Sequence, residues 1–109
     1  MKFHLLIVDD EVVIRKGLSD YINWDAYDCQ VTATASNGKE AIKIIENNNI
    51  DIVLTDIKMP VLDGIGLAEY VYENHPDIAV IILSGYSEFE YAQSAIKYQV
   101  NEYILKPAA

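Results

Sequence analysis

Cysteine occurs once in these 109 residues, as Cys29, so neither an internal disulfide nor a cysteine-based zinc site can be built. That scarcity agrees with a reducing compartment, and Cys29 reads as a small core residue. The two histidines, His4 and His75, carry no metal-ligand spacing and read as structural. Positive charge is scarce: 8 Lys and Arg stand against 17 Asp and Glu, a formal net charge of −9 that repels nucleic acid and anionic lipid headgroups. Direct DNA binding by this segment is therefore disfavoured. Long apolar runs are missing too. The longest, Ile78-Ala79-Val80-Ile81-Ile82-Leu83, falls far short of the roughly 20 residues a membrane-spanning helix needs. The amino-terminal stretch turns acidic at Asp9-Asp10 before a secretory leader could form, so a cytoplasmic location without membrane partners is expected. Internal repeats, low-complexity tracts and linkers are absent. With 51% hydrophobic and 23% charged residues, the chain reads as one domain over 1–109.

The segments alternate. Phe3 to Val8 is a Leu, Ile and Val-rich run that stops abruptly at Asp9-Asp10, the pattern of a strand covered on both faces. Ile14, Leu18, Tyr21 and Ile22 then share one face of a helix that begins near Glu11 and ends around Asn23-Trp24-Asp25. Val31 to Ala35 is a second strand. Asn37 with Glu40 resembles a capping box for a helix burying Ala41, Ile44 and Ile45, closed by Asn47-Asn48-Asn49. Ile50 to Thr55 is the third strand, ending at Asp56 and then Pro60, with the loop running on to Asp63-Gly64. Leu67, Tyr70 and Val71 mark the next helix, ended by Pro76. Ile78 to Leu83 is the fourth strand, broken by Ser84-Gly85. Ser87 with Glu90 opens a fourth helix on Phe89, Ala92 and Ile96, and Tyr103 to Leu105 is a fifth strand before Lys106-Pro107.

Alternation of this kind predicts an α/β fold, a doubly wound five-stranded parallel sheet with helices on both faces. In the flavodoxin-like order 2-1-3-4-5, strands one and three are neighbours, and ligands bind outside the carboxyl ends of the strands. Asp9, Asp10 and Asp56 then converge, with Ser84 and Lys106 flanking them. Clustered carboxylates repel by roughly 4 kcal/mol per pair at about 4 Å and an effective dielectric near 20, so a counter-charge is expected. A hard divalent cation fits a site of Asp, carbonyl and water, and Mg²⁺ is the natural choice. With the metal bound, one carboxylate could attack a phosphoryl group to give an aspartyl phosphate, Lys106 holding the charge and Ser84 donating a hydrogen bond. Taken singly, each residue has a simpler role: Asp9-Asp10 as a helix cap, Asp56 as a loop residue, Ser84-Gly85 as a turn, Lys106-Pro107 as an exposed chain end and Tyr103 as strand packing. Four separate strands ending in the groups one chemistry needs is what tells against all the simpler roles together.

The pieces Val8-Asp9-Asp10-Glu11, Thr55-Asp56-Ile57-Lys58-Met59-Pro60, Asp63-Gly64, Ser84-Gly85-Tyr86 and Tyr103-Ile104-Leu105-Lys106-Pro107 resemble, in order and spacing, the CheY-like receiver domain of two-component response regulators. The resemblance implies that Asp56 is the phosphoacceptor, charged by a sensor histidine kinase. It implies Asp10 and Asp56 as direct Mg²⁺ ligands, Asp9 acting largely through water, and the backbone carbonyl of Lys58 completing the set. Ser84 and Tyr103 would be the switch pair, shifting between two states as the phosphoryl charge arrives. The fourth helix and fifth strand would be the readout surface, and the Lys106-Pro107 bond would be cis. Ile22-Asn23-Trp24 and Gly85-Tyr86-Ser87-Glu88-Phe89-Glu90-Tyr91-Ala92 further resemble receivers attached to AraC-type helix-turn-helix transcription regulators, so an effector of that type is the expected partner.

The chain departs from the family at its end, Ala109, before the family's last helix, which reads as a receiver cut short after its fifth strand. An apolar strip left uncovered beside the first helix would invite self-association as a homodimer. Two enzyme-like or ligand-binding alternatives fail on single positions. A haloacid dehalogenase-type phosphatase needs a second Asp two residues after the nucleophile, where Lys58 stands. A flavin or nucleotide binder needs a phosphate loop where Asp9-Asp10-Glu11 would expel the phosphate. The remaining alternative is an interaction module that keeps the fold without phosphorylation. The complete set Asp9, Asp10, Asp56, Ser84 and Lys106 argues against it, and the expected role is a signalling domain rather than an enzyme.

Overall fold

The computed structural model describes residues 1–83 with their side chains, together with the main chain of Ser84 and of 102–105. β1 (Phe3–Val8) lies between β2 (Cys29–Ala35) and β3 (Ile52–Thr55), and β4 (Ala79–Ser84) pairs with the far side of β3, all parallel. The main chain of β5 (Glu102–Leu105) runs parallel beside β4, so the order is β2-β1-β3-β4-β5. Between them come α1 (Val12–Asp20), a 3₁₀ turn (Trp24–Tyr27), α2 (Gly38–Asn47) and α3 (Gly64–Asn74). Among the described residues no helix is long and apolar enough to cross a membrane.

Alternation along the strands divides the core into two layers. Leu6, Val8, Val53, Val80 and Ile82 face α2 and α3, where they meet Ala41, Ile45, Leu67, Ala68 and Val71 in one fully buried cluster. Leu5, Ile7 and Leu54 point to the opposite face, against Leu18 of α1 and Trp24. That second layer is thinner, and α1 has no fully buried residue. The central strand is apolar on both faces because both are covered, which is why β1 reads as a continuous apolar run.

Caps define the helix starts. Asn37 is the N-cap of α2 and its side chain accepts from Glu40 N at 2.8 Å, while the Glu40 carboxylate reaches back to Ser36 N and Oγ at 3.3 and 3.1 Å. The capping box is therefore present, with the returning bond one residue earlier than the standard pattern. Asp63 caps α3 through Gly66 N at 2.8 Å. His75, immediately before Pro76, ends α3.

Four boundary readings need correction. β2 starts at Cys29 rather than Val31, and β3 at Ile52 rather than Ile50, because Asp51 leaves the strand to accept His4 N with its carboxylate at 2.7 Å. β4 starts at Ala79 rather than Ile78, whose N–H is taken by the His75 carbonyl in the preceding turn. Tyr21, assigned to the buried face of the first helix, is 90% exposed. The helix stops at Asp20, and Trp24 covers the sheet in its place, its Nε1 donating to the Leu18 carbonyl at 2.8 Å. The fourth helix assigned to Ser87, Phe89, Glu90, Ala92 and Ile96 lies outside the described residues.

Leu6→Ala, which opens a hole in the larger layer, is expected to cost about 2–5 kcal/mol in urea unfolding. Tyr21→Ala should stay within about 0.5 kcal/mol of the parent. Equal losses at the two positions would contradict the division of the core described above.

Candidate metal centre

The register of β1 against β3 pairs Val8 with Thr55, so the next residues, Asp9 and Asp56, emerge side by side at the carboxyl end of the sheet. Asp56 N donates to the Val8 carbonyl at 2.9 Å and Asp9 N to the Ala35 carbonyl of β2 at 3.0 Å, extending the ladder one step past each strand. Asp9 and Asp56 are both buried, 1% and 7% exposed, while Asp10 is exposed. One carboxylate oxygen from each of Asp9, Asp10 and Asp56 falls within 4.8 Å of the others. The convergence expected of these three acids is present in the structure.

The two buried acids are oriented by their surroundings. Asp9 Oδ1 accepts from Glu11 N at 2.9 Å, which bends the chain directly into α1. Glu11 is the N-cap residue of α1 and makes no side-chain cap, so Asp9 acts on the entry to the helix rather than as its N-cap. Asp56 Oδ1 accepts from Ile57 N at 2.9 Å, and Thr55 Oγ1 donates to the Asp56 carbonyl at 2.8 Å. The amino end of α3 sits against the same main chain. Gly64 N donates to the Ile57 carbonyl at 2.7 Å, and a Cβ on Gly64 would run into the Asp56 carbonyl oxygen. Glycine is needed there for close approach.

The loop between β3 and α3 carries Lys58, whose side chain is exposed, and then a tight turn. Leu62 N donates to the Pro60 carbonyl at 2.8 Å across Val61, which has φ 71°. These are the marks of a positive-φ γ-turn, a strained arrangement for any residue and more so for a β-branched one. Leu62 holds the turn down: its carbonyl accepts Gly38 N at 2.8 Å, and its side chain fills the space beside Gly38 and Gly66.

Sequence reading passed over Arg15. Its Nη1 donates to the Asp9 carbonyl at 2.7 Å from the first turns of α1. The available signal was weak, one of two adjacent basic residues, Arg15 and Lys16, on a helix that begins directly after three acids. Val61 left no signal, since a β-branched residue argues against positive φ. Of the remaining expected site residues, Ser84 and Tyr103 are described only as main chain of β4 and β5. Lys106 and its bond to Pro107 lie outside the described residues.

The donor set fits Mg²⁺. It is all oxygen, it is partly buried, and the exposed Asp10 leaves a route for a hydrated ion. An octahedral ion with bonds of about 2.0–2.1 Å spans about 4 Å between opposite ligands. Ligand atoms that all lie within 4.8 Å of one another are of the size such an ion needs.

Comparison with known proteins converges on one description. The family model for the response regulator receiver domain matches residues 5–109. The transcriptional regulatory protein YesN of Bacillus subtilis (strain 168) is 41% identical over 105 residues, 96% of this chain, which spans 28% of that protein. The receiver domain of AraT, a response regulator from Geobacillus stearothermophilus, superimposes with a TM-score of 0.91 at 40% identity, covering 99% of this chain and 84% of that one. CheY in a CheX-CheY-BeF3-Mg complex from Borrelia burgdorferi gives a TM-score of 0.84 at 31% identity, covering 98% and 80%.

Gly64→Ala is expected to cost about 2 kcal/mol or more, because main chain must move. Val61→Asn, which tolerates positive φ, should stabilise by about 0.5–1 kcal/mol. Chemical denaturation of both variants checks the pair, and a destabilised Val61→Asn would show that the turn carries no strain.

Proposed function

The chain belongs to the response regulator receiver domain family, and from that premise we propose that Asp56 is its phosphoacceptor in a two-component pathway. The observation that carries the reading is the convergence of Asp9, Asp10 and Asp56 within 4.8 Å at the ends of adjacent strands. Receiver domains bind Mg²⁺ in an acidic pocket and work with histidine kinases and effector domains. Here Asp10 and Asp56 would hold the ion directly, Asp9 through water, and the Lys58 carbonyl would complete the protein ligands. Bound there, Mg²⁺ neutralises charge on the incoming phosphoryl oxygens.

The chain's own residues do the rest. A carboxylate oxygen of Asp56 attacks the phosphorus of the kinase phosphohistidine, the P–N bond breaks, and the imidazole leaves with the electron pair. The Ile57 N–H, already donating to Asp56 Oδ1 at 2.9 Å, orients the carboxylate for in-line approach. Lys106 then pairs with the phosphoryl charge, Ser84 turns toward it, and Tyr103 moves inward, which shifts the population toward the active state. The domain acts as a switch and turns over no external substrate beyond its own phosphorylation and dephosphorylation.

The effector is proposed to be an AraC-type helix-turn-helix regulator in the cytoplasm. The chain spans 28% of YesN, a transcriptional regulatory protein, leaving ample room in such relatives for an output region. Self-association along the α1 side of the sheet belongs to the same reading.

Intact-mass analysis after incubation with a small phosphodonor tests the acceptor. One phosphoryl group should add in a reaction that needs Mg²⁺, none should add to Asp56→Asn, and Asp10→Asn should need about tenfold more Mg²⁺ or worse. Equal loading of the parent and Asp56→Asn would refute the assignment.

A further inference from the structure

Asp9 and Asp10 are consecutive, so the direction of one carboxylate relative to the other depends on ψ of Asp9 and φ of Asp10, on either side of one rigid peptide plane. The carbonyl of that plane is the Asp9 oxygen that accepts from Arg15 Nη1 at 2.7 Å. Asp9 itself is held by other bonds, among them its N–H to Ala35 O at 3.0 Å and its Oδ1 from Glu11 N at 2.9 Å. The bond from Arg15 restrains the plane from which Asp10 hangs. Asp10 is exposed, so packing contributes little to its orientation. The donor, by contrast, comes from a closed helical turn, where Arg15 N donates to Glu11 O at 3.1 Å and the side chain is half-buried.

We propose that Arg15 is a positioning residue for the acid cluster: its guanidinium locks the Asp9-Asp10 peptide plane so that both carboxylates face the same divalent cation as Asp56. The inference rests on the reading of those three acids as Mg²⁺ ligands. A planar guanidinium on a long stem suits the task, because it reaches six residues back and presents several donors in a fixed fork. The sign of the effect separates a clamp from a bystander charge. As a charge alone, Arg15 repels a dication, and its removal would tighten metal binding. As a clamp, it preorganises two ligands, and its removal loosens binding.

Isothermal titration of the whole chain with Mg²⁺, supported by Mn²⁺ electron paramagnetic resonance, distinguishes these. Arg15→Met is expected to bind Mg²⁺ about tenfold more weakly or worse, as for other residues that orient metal ligands. Arg15→Lys, which keeps a donor on a long stem, should recover to within about threefold of the parent. Phosphodonor loading of Arg15→Met should return to near the parental rate at saturating Mg²⁺. Circular dichroism checks the fold. If Arg15→Met fails to fold, Arg15→Gln, with a stem too short to span the same gap, replaces it and should weaken binding equally. Unchanged or tighter affinity in the folded variant overturns the clamp. A parent chain that binds no Mg²⁺ overturns the metal reading and the clamp together, whereas normal parental binding with an indifferent Arg15 overturns the clamp alone.

Discussion

Three carboxylates held within 4.8 Å of one another repel, and the fold is arranged to keep them there regardless. Two of them are buried at the ends of adjacent strands, where the Val8 to Thr55 pairing determines their spacing. The strands cannot slide without turning the Leu5, Leu6, Ile7 and Val8 side chains out of their layers, so core packing opposes the electrostatic push. A dication placed among them would relieve that repulsion.

Around the acids, the main chain is closely constrained. Gly64 brings the start of α3 onto the Asp56 carbonyl, and Leu62 wedges between Gly38 and Gly66. The Val61 turn persists at φ 71° because those contacts over-determine it. Strain of this sort holds the neighbouring carboxylates at fixed positions, so that little reorganisation would accompany the proposed metal binding and attack. Arg15 extends the same rigidity to the other side of the pocket by holding the peptide between Asp9 and Asp10.

Much of this was readable from the residues alone, for identifiable reasons. Buried parallel strands are apolar runs, and acids at their ends are conspicuous, so Asp9, Asp10 and Asp56 could be brought together from the strand order. Asn37 with Glu40 and Pro76 after His75 marked helix ends through local chemistry. What escaped depends on tertiary geometry. Tyr21 continued the helical period, yet α1 ends one residue earlier and the Trp24 indole, anchored to the Leu18 carbonyl, takes the sheet surface instead. The carboxylate of Asp51 displaced the start of β3 by bonding to His4 N. The positive φ of Val61 runs against its own propensity, and the reach of Arg15 to a carbonyl six residues back is a matter of side-chain rotamer, which no periodicity encodes.

The central claim is that Asp56, and no other of the clustered acids, carries the phosphoryl group. Borohydride reduces an acyl phosphate to the corresponding alcohol, so peptide mapping of the phosphorylated and reduced chain reports the modified position directly. The account predicts homoserine at position 56 alone, in a yield that follows the Mg²⁺ concentration. Homoserine at position 9 or 10, or an unmodified position 56 in folded, phosphodonor-treated protein, would contradict it.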